Sequence, residues 1–127
     1  MILIDTDVLI EIVDKNSNKG DLAINKLRSL HENICISSIN LHEFNYGIEK
    51  YGKKLREIPK IHVIPFTEND AILSSKIESK LNSKGLSVNE IDCMICSICI
   101  NNNFPIYTFN ITHFNRFTEF GLVMIWD

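Results

Sequence analysis

Four oxygen-bearing side chains lie at points where the chain passes from one expected secondary-structure element to the next. They are Asp5, Glu43, Asp92 and Asn110. In an open parallel sheet, sites form beyond the carboxyl ends of the strands, so we expect these side chains to approach one edge of a sheet. Hard divalent cations prefer oxygen ligands, and two or three converging carboxylates suit Mg²⁺ or Mn²⁺. The residue types therefore indicate a divalent-metal site.

Each of these residues also has an ordinary structural explanation. Asp5 can cap the helix that follows it, and Asp92 can interact favourably with a helix dipole. Glu43 can be a solvated helix residue, and Asn110 can be a turn residue. The metal interpretation consequently depends on all four residues meeting at one place.

Short apolar runs alternate with segments of helical periodicity along the chain. Strands are expected at residues 2–4, 34–36, 63–66, 106–108 and 122–125. Helices are expected at residues 7–13, 21–31, 40–51 and 67–83, and a further helix opens near Ser87 and runs to about residue 101. This alternation predicts an α/β fold, a three-layer α/β/α sandwich with a central, mainly parallel sheet.

Short polar side chains mark the expected helix starts, and apolar spacing marks the faces turned to the core. The cap candidates are Asp7 or Thr6 for the first helix, Ser37 or Ser38 for the third, and the capping-box pairs Thr67 with Asp70 and Ser87 with Glu90 for the last two. The expected apolar faces are Leu22, Leu27 and Leu30 in the second helix, and Leu41, Phe44 and Ile48 in the third.

The composition fits one globular domain, spanning residues 1–127, with a hydrophobic fraction of 45%. A net charge of −3 excludes the broad basic field typical of dedicated nucleic-acid binders. Two local basic clusters exist: Lys50, Lys53, Lys54, Arg56 and Lys60, and then Lys76, Lys80 and Lys84. They are interpreted as solvated helix surface, with an RNA path as the alternative.

The start of the chain has neither the basic segment nor the cleavage site of a signal peptide, and no apolar stretch has the length of a membrane span. We therefore expect a cytoplasmic chain with no membrane partner and with four reduced cysteines. Cys93, Cys96 and Cys99 form a C-x-x-C-x-x-C run that can suggest an iron–sulfur cluster. Core packing is favoured, because these residues alternate with isoleucine and methionine and Cys35 is the only other thiol.

Four segments, in order, resemble the motifs of the PIN-domain ribonuclease family. Residues 2–10 (ILIDTDVLI) resemble its opening, and residues 38–48 (SINLHEFNYGI) resemble its second motif, an acid followed four residues later by glycine. Residues 85–97 resemble the third motif, in which Asp92 would precede a helix rich in small residues. Residues 108–114 (TFNITHF) resemble the fourth. The resemblance covers nearly the whole chain and is closest in kind to the VapC-type toxins of type II toxin–antitoxin pairs.

The resemblance implies a PIN-like sandwich and assigns roles to matching positions. Asp5, Glu43 and Asp92 would bind one or two Mg²⁺ or Mn²⁺ ions, directly or through water. Asn110 would complete the pocket, and Thr6 would orient the first carboxylate or a bound water. Thr108, which opens the fourth motif, is expected to support the site.

Three positions depart from the family pattern or remain open. Asp7 stands where the family usually has Asn or Ser, and it is interpreted as a helix cap rather than an extra ligand. His113 stands where relatives often have Asp, which puts an acidic role there in doubt. Glu90 is explained as a capping-box partner.

The activity that the resemblance implies is metal-assisted hydrolysis of RNA phosphodiester bonds by an endoribonuclease. A bound ion lowers the pKa of its water and neutralises charge on the reacting phosphate oxygens. The implied partners are an RNA substrate, a cognate antitoxin that covers the active site, and a second copy of the chain in a homodimer.

Two alternatives belong to other classes. A phosphatase of the haloacid-dehalogenase type would use Asp5 as nucleophile and Asp7 as acid, but the chain is short for that family and Gly does not follow Asp7. A non-catalytic module that keeps the PIN fold would bind RNA or a protein partner, although unpaired acids repel phosphate when no metal is present.

Overall fold

The computed structural model describes residues 1–14, 17–51 and 61–126, with the side chain of Asp14 excepted. Its strands are β1 Ile2–Ile4, β2 Ile34–Ser37, β3 His62–Ile64 and β4 Ile106–Tyr107. They form one sheet in the order β3-β2-β1-β4, and every pair is parallel. The expected parallel sheet is therefore confirmed, with each strand within two residues of its expected bounds.

The expected strand at 122–125 is wrong in extent. Only Met124 forms a bridge, parallel to Ile106 of β4. The amide of Ile106 donates to the carbonyl of Val123 at 2.9 Å, and the amide of Ile125 donates back to Ile106 at 3.0 Å. Because β4 itself has only two residues, it offers a short edge for pairing.

The helices flank this sheet. They are α1 Thr6–Leu9, which continues into a π-helical turn Ile10–Asp14, then α2 Asn18–Ser29, α3 Ser38–Tyr51, α4 Glu68–Ser83, α5 Glu90–Asn102 and α6 Ile111–Asn115, with a 3-10 turn at Thr118–Phe120.

Asp5 is the N-cap of α1 and accepts a hydrogen bond from the backbone of Thr6, which confirms the structural explanation considered for it. The other two candidates, Asp7 and Thr6, are wrong, and so is the cap expected for α5. Asn89 is the N-cap of α5 and accepts from the amide of Ile91 at 2.8 Å, so no capping box joins Ser87 and Glu90. A cap is decided by which residue keeps extended backbone just before the first turn, and spacing alone misplaces it by one or two positions.

Two other expected caps are confirmed. Thr67 and Asp70 form the capping box of α4, with each side chain accepting from the other residue's backbone amide. At the start of α3, the hydroxyl of Ser37 accepts from the amide of Asn40 at 3.0 Å. Ser38 was the other candidate for this cap, but its hydroxyl accepts from the backbone amide of Phe66.

Two apolar clusters lie on opposite faces of the sheet, as the alternation of side chains along β1 requires. Leu3 packs into the cluster that contains residues of α4, α5 and α6, whereas Ile2 and Ile4 pack into the cluster that contains residues of α1, α2 and α3. The three-layer α/β/α sandwich is therefore confirmed. On α3 the expected face is confirmed, with Phe44 buried and Leu41 and Ile48 packed against the second cluster.

On α2 one expectation is wrong. Leu27 is buried, but Leu22 is 71% exposed, and Ala23 takes the inward position in its place. The helix starts three residues earlier than expected, at Asn18 behind its cap Ser17.

All four cysteines are free and buried in the first cluster. Burial raises the pKa of the thiols of Cys35 and Cys93 to about 11. In the ranges that the structure describes, no three histidine, cysteine or acidic side chains are arranged to hold a metal ion. The cysteines lie among the apolar side chains of the first cluster, and core packing is therefore confirmed.

The described members of the two basic clusters are exposed, which agrees with their interpretation as solvated surface. Lys80 lies over the ring of Phe120 at 5.6 Å, and Lys84 pairs with Glu119 at 3.2 Å. Lys50 lies near the rings of Tyr46 and Tyr51. The remaining members of the first cluster (Lys53, Lys54, Arg56 and Lys60) fall outside the described residues. Among the helices described, none has the length and apolar character to cross a membrane.

Candidate active site

The carboxyl edge of the sheet gathers the residues singled out from the sequence. Asp5 follows β1 and Thr108 follows β4, and these two strands are neighbours running in the same direction. Glu43 lies in the second turn of α3, and Asp92 lies in the first turn of α5. Parallel strands end at a common edge, which is why residues so far apart in sequence come together here.

Asp5 is a buried carboxylate, only 8% exposed, with donors on both oxygens. Its Oδ1 accepts from the backbone amide of Thr6 at 2.9 Å and from Nδ2 of Asn40 at 3.2 Å. Its Oδ2 accepts from the hydroxyl of Thr108 at 2.9 Å. Burial and the neighbouring Asp7 raise the pKa of this carboxyl to about 7, although the hydrogen bonds from Thr6 and Thr108 oppose that shift.

Thr6 connects Asp5 to Glu43. Its hydroxyl donates to Oε1 of Glu43 at 2.9 Å, while its backbone amide serves Asp5. Partial burial raises the pKa of the Glu43 carboxyl, and repulsion from Asp92 and Asp7 raises it further. Thr6 was expected to orient the first carboxylate. Its backbone amide does so for Asp5, whereas its hydroxyl orients the second carboxylate, that of Glu43.

Asp7 joins the same group of acids instead of capping α1. Its Oδ1 accepts from the amide of Val8 at 2.7 Å, and its Oδ2 accepts from the amide of Phe109 at 3.2 Å. The hydroxyl of Thr108 lies 3.5 Å from that second oxygen. Burial raises the pKa of the Asp7 carboxyl, while the nearby Lys19 lowers it. The side chain therefore ties the start of α1 to the segment after β4.

Asp92 is linked to the other acids through its charge. Burial raises the pKa of its carboxyl, while His113 and Arg116 lower it. Nδ1 of His113 lies 3.6 Å from Oδ2 of Asp92. His113 is thus in contact with Asp92, and the guanidinium of Arg116 donates a hydrogen bond to the carbonyl of Ser87 at 3.0 Å.

Asn110 and Glu90 lie at the margin of the site. The backbone amide of Asn110 donates to the hydroxyl of Thr108 at 3.0 Å, but its side chain is exposed and makes no capping bond to α6. Glu90 is exposed at the first position of α5. Because the expected capping box is absent, Glu90 loses the structural explanation given to it from the sequence.

Sequence reasoning gave no role to Asn40, which the structure places at the centre of this network. Its side chain is fully buried and donates to both Asp5 and Thr6. A signal existed in the sequence, because Asn40 precedes Phe44 by four residues and so lies on the apolar face of α3. A polar side chain on such a face requires internal partners.

The donor chemistry of the site fits a hard divalent cation. The charges of Asp7 and Glu43 raise the pKa of Asp5, and the charges of Asp92 and Asp7 raise that of Glu43, so a bound cation would relieve this repulsion. The described residues do not present a ready cage of three ligands. Asp5, Glu43 and Asp92 could hold Mg²⁺ or Mn²⁺ only as an open site in which water completes the coordination.

The PIN domain family model matches residues 2–119, and the chain therefore belongs to the PIN domain family. Among curated relatives, it is 32% identical to Ribonuclease VapC1 of Methanocaldococcus jannaschii, over 95% of this chain and 84% of the relative. It is 28% identical to Ribonuclease VapC2 of Rickettsia felis, over 98% of this chain and 97% of the relative.

Solved structures confirm the fold. VapBC2 from Rickettsia felis, bound to a promoter DNA fragment, contains a chain with a TM-score of 0.77 and 24% identity, covering all of both chains. A chain of VapBC-1 from nontypeable Haemophilus influenzae has a TM-score of 0.77 at 20% identity, covering 98% and 97%. Membership of the PIN family argues against the haloacid-dehalogenase alternative.

Proposed function

We propose that this chain is a divalent-metal-dependent endoribonuclease that hydrolyses RNA phosphodiester bonds, acting as one PIN domain over residues 1–127. The observation that carries the proposal is the buried Asp5, held by three donors beside Asp7 and Glu43 at the carboxyl edge of the sheet. The curated relatives named as ribonucleases support RNA as the substrate.

In this proposal Asp5, Glu43 and Asp92 hold Mg²⁺ or Mn²⁺, and Asn110 completes the pocket. When bound, such an ion lowers the pKa of a coordinated water and neutralises charge on the phosphate oxygens. Thr6, Asp7 and Thr108 are the supporting residues, and their hydrogen bonds hold the acids in place.

Other groups of the chain would hold the proposed metal ligands in place and attract the substrate. Thr108 and the amide of Thr6 hold the Asp5 carboxylate, and the Thr6 hydroxyl holds Glu43. The guanidinium of Arg116 near Asp92 offers positive charge to an approaching phosphate, and Nδ1 of His113 lies 3.6 Å from Oδ2 of Asp92. Fixed donors of this kind need little rearrangement when substrate arrives.

An antitoxin partner is supported by solved relatives that are toxin–antitoxin complexes or members of toxin–antitoxin systems. We propose that this chain is the toxin of such a pair, with an antitoxin that covers the acidic site and a second copy of the chain in a homodimer. A cluster of acids is chemically suited to accept a basic side chain of an inhibitor.

The first test measures cleavage of structured and single-stranded RNAs by antitoxin-free protein in Mg²⁺, Mn²⁺ or EDTA. The proposal expects cleavage with metal, loss of cleavage in EDTA and recovery when metal is restored. RNA binding without cleavage, unchanged by EDTA, would instead support the non-catalytic module.

A further inference from the structure

Asn40 is a fully buried amide in the first turn of α3. Burying an amide is unfavourable unless both of its ends find partners. The oxygen Oδ1 accepts from the amide of Ser37 at 3.0 Å and from the hydroxyl of Ser37 at 2.6 Å. The nitrogen Nδ2 donates to Oδ1 of Asp5 at 3.2 Å and to Oγ1 of Thr6 at 3.0 Å.

The chemistry of these partners fixes which way the amide points. The backbone N–H of Ser37 can only donate, so the atom of Asn40 that faces it must be the oxygen. The hydroxyl oxygen of Ser37 accepts from the backbone N–H of Asn40. The hydroxyl hydrogen of Ser37 is then directed at Oδ1 of the Asn40 side chain. The NH₂ group must then face Asp5 and Thr6.

This orientation in turn fixes the direction of the Thr6 hydroxyl. Its oxygen accepts from Asn40, and its single hydrogen is given to Oε1 of Glu43 at 2.9 Å. Hydrogen bonds therefore run in one direction from Ser37, at the end of β2, through Asn40 and Thr6 to Glu43. One branch of the same amide ends on Asp5.

We propose that Asn40 is a positioning residue that sets two carboxylates for one divalent cation, Asp5 directly and Glu43 through the hydroxyl of Thr6. The inference rests on the proposed metal-dependent function. Asp5 and Glu43 carry like charges that repel each other, so donors are needed to hold both side chains in one arrangement. Partners that orient metal ligands in this way commonly change metal affinity or activity by about 10- to 100-fold.

A purely structural role for Asn40 makes a different prediction. In that case the amide would only link the start of α3 to β1, and its loss would lower the stability of the protein. The metal affinity of the protein that remains folded would not change. Metal affinity is therefore the measurement that separates the two roles.

The test compares Asn40→Ala with Asn101→Ala. Asn101 is a matched control, because its Nδ2 also donates to a buried carboxylate, Oδ1 of Asp70 at 2.7 Å. It lies nine residues from Asp92, roughly 14 Å along α5. Mn²⁺ alone is titrated into each folded protein, and free Mn²⁺ is followed by electron paramagnetic resonance.

We expect Asn40→Ala to weaken Mn²⁺ binding by about tenfold or more, and Asn101→Ala to leave it within about twofold of the wild type. Equal Mn²⁺ affinity in Asn40→Ala and the wild type would overturn the inference and leave the proposed function standing. Failure of the wild type both to bind Mn²⁺ and to cleave RNA would overturn the two together.

If Asn40→Ala does not fold, Asn40→Asp keeps the shape and the acceptor for Ser37 but replaces the donor that faces Asp5 and Thr6. The new carboxylate repels Asp5 and competes with Glu43 for the single hydrogen of the Thr6 hydroxyl. We expect kcat for RNA cleavage to fall by about tenfold or more while KM for RNA is unchanged. A wild-type kcat in this variant would overturn the inference.

Discussion

The hydroxyl of Thr108 donates a hydrogen bond of 2.9 Å to Oδ2 of Asp5, across a separation of 103 positions in the chain. This contact joins the ends of β1 and β4, and it gives the buried carboxylate one of its three donors. The same hydroxyl accepts from the amide of Asn110. Thr108 therefore connects Asp5 and Asn110, two of the four oxygen-bearing residues expected to form the site.

Thr108→Val is expected to lower RNA cleavage by about tenfold, because it removes a donor to a proposed metal ligand without changing the shape of the side chain. The buried Asp5 oxygen left without this partner should cost about 1–3 kcal/mol of stability. Cleavage assays and denaturant unfolding measure the two effects. Thr112→Val, at an exposed position of α6, is the control and should change neither. Wild-type cleavage by Thr108→Val would remove Thr108 from the supporting set.

Thr6→Val is expected to reduce cleavage by about 10- to 100-fold, because Glu43 loses the hydroxyl that holds its carboxylate. Thr6→Ser keeps that hydroxyl and should retain most of the activity. Initial rates at saturating Mn²⁺ give the comparison. Equal losses in the two variants would mean that the methyl group of Thr6, and not its hydrogen bond, is what the site requires.

Metal-free protein is expected to lose stability as the pH rises from about 4 to about 7. Burial, followed by the charge of Asp7, raises the pKa of Asp5 from 3.8 in the unfolded chain to about 7 in the fold. Between these values the folded state binds more protons than the unfolded state, so the free energy of unfolding decreases with pH. The full effect is on the order of 4 kcal/mol.

Denaturant unfolding in EDTA at several pH values measures this dependence, with Asp5→Asn as the comparison. The variant has no carboxyl to titrate at position 5, so its stability should vary less over the same pH interval. Mg²⁺ or Mn²⁺ should restore stability to the wild type near pH 7. Identical pH dependence in the two proteins would contradict the shifted pKa.

Gly20→Ala and Gly47→Ala are expected to have opposite effects on stability. A Cβ at Gly20 would overlap the carbonyl oxygen of Glu11, so alanine there should cost about 1–3 kcal/mol. A Cβ at Gly47 meets nothing within 4 Å, and alanine inside α3 should stabilise by up to about 1 kcal/mol. Thermal unfolding compares the two. Destabilisation by Gly47→Ala would show that this glycine is needed for more than its place in the helix.

The sheet and the position of the site could be predicted from the sequence because apolar periodicity is local. Buried strands such as 2–4 are short apolar runs, and a parallel sheet directs the residues that follow its strands to one edge. Hydrogen-bond partners could not be predicted in this way. The bond between Thr108 and Asp5 depends on which strands become neighbours, and the role of Asn40 depends on the exact approach of α3 to β1.

The cap of α5 was predicted wrongly for a different physical reason. The Ser87 and Glu90 pair has the right spacing for a capping box, but α5 begins directly after Asn89. Which residue caps is decided by the backbone angles of one position, and several polar residues compete for that place. At α1 the same competition was decided for Asp5 over Asp7 and Thr6, which leaves Asp7 as a member of the acidic group.

The central claim is that the acids at the carboxyl edge, and Asp5 above all, carry metal-dependent RNA hydrolysis. The most direct measurement is RNA cleavage by Asp5→Asn beside Asp70→Asn, in Mg²⁺ or Mn²⁺ and in EDTA. Asp70 is the matched control, since it is also buried, at 1% exposure, but belongs to the capping box of α4. The account predicts that folded Asp5→Asn loses at least about a hundredfold in rate while folded Asp70→Asn still cleaves. Wild-type, metal-dependent cleavage by Asp5→Asn would contradict it.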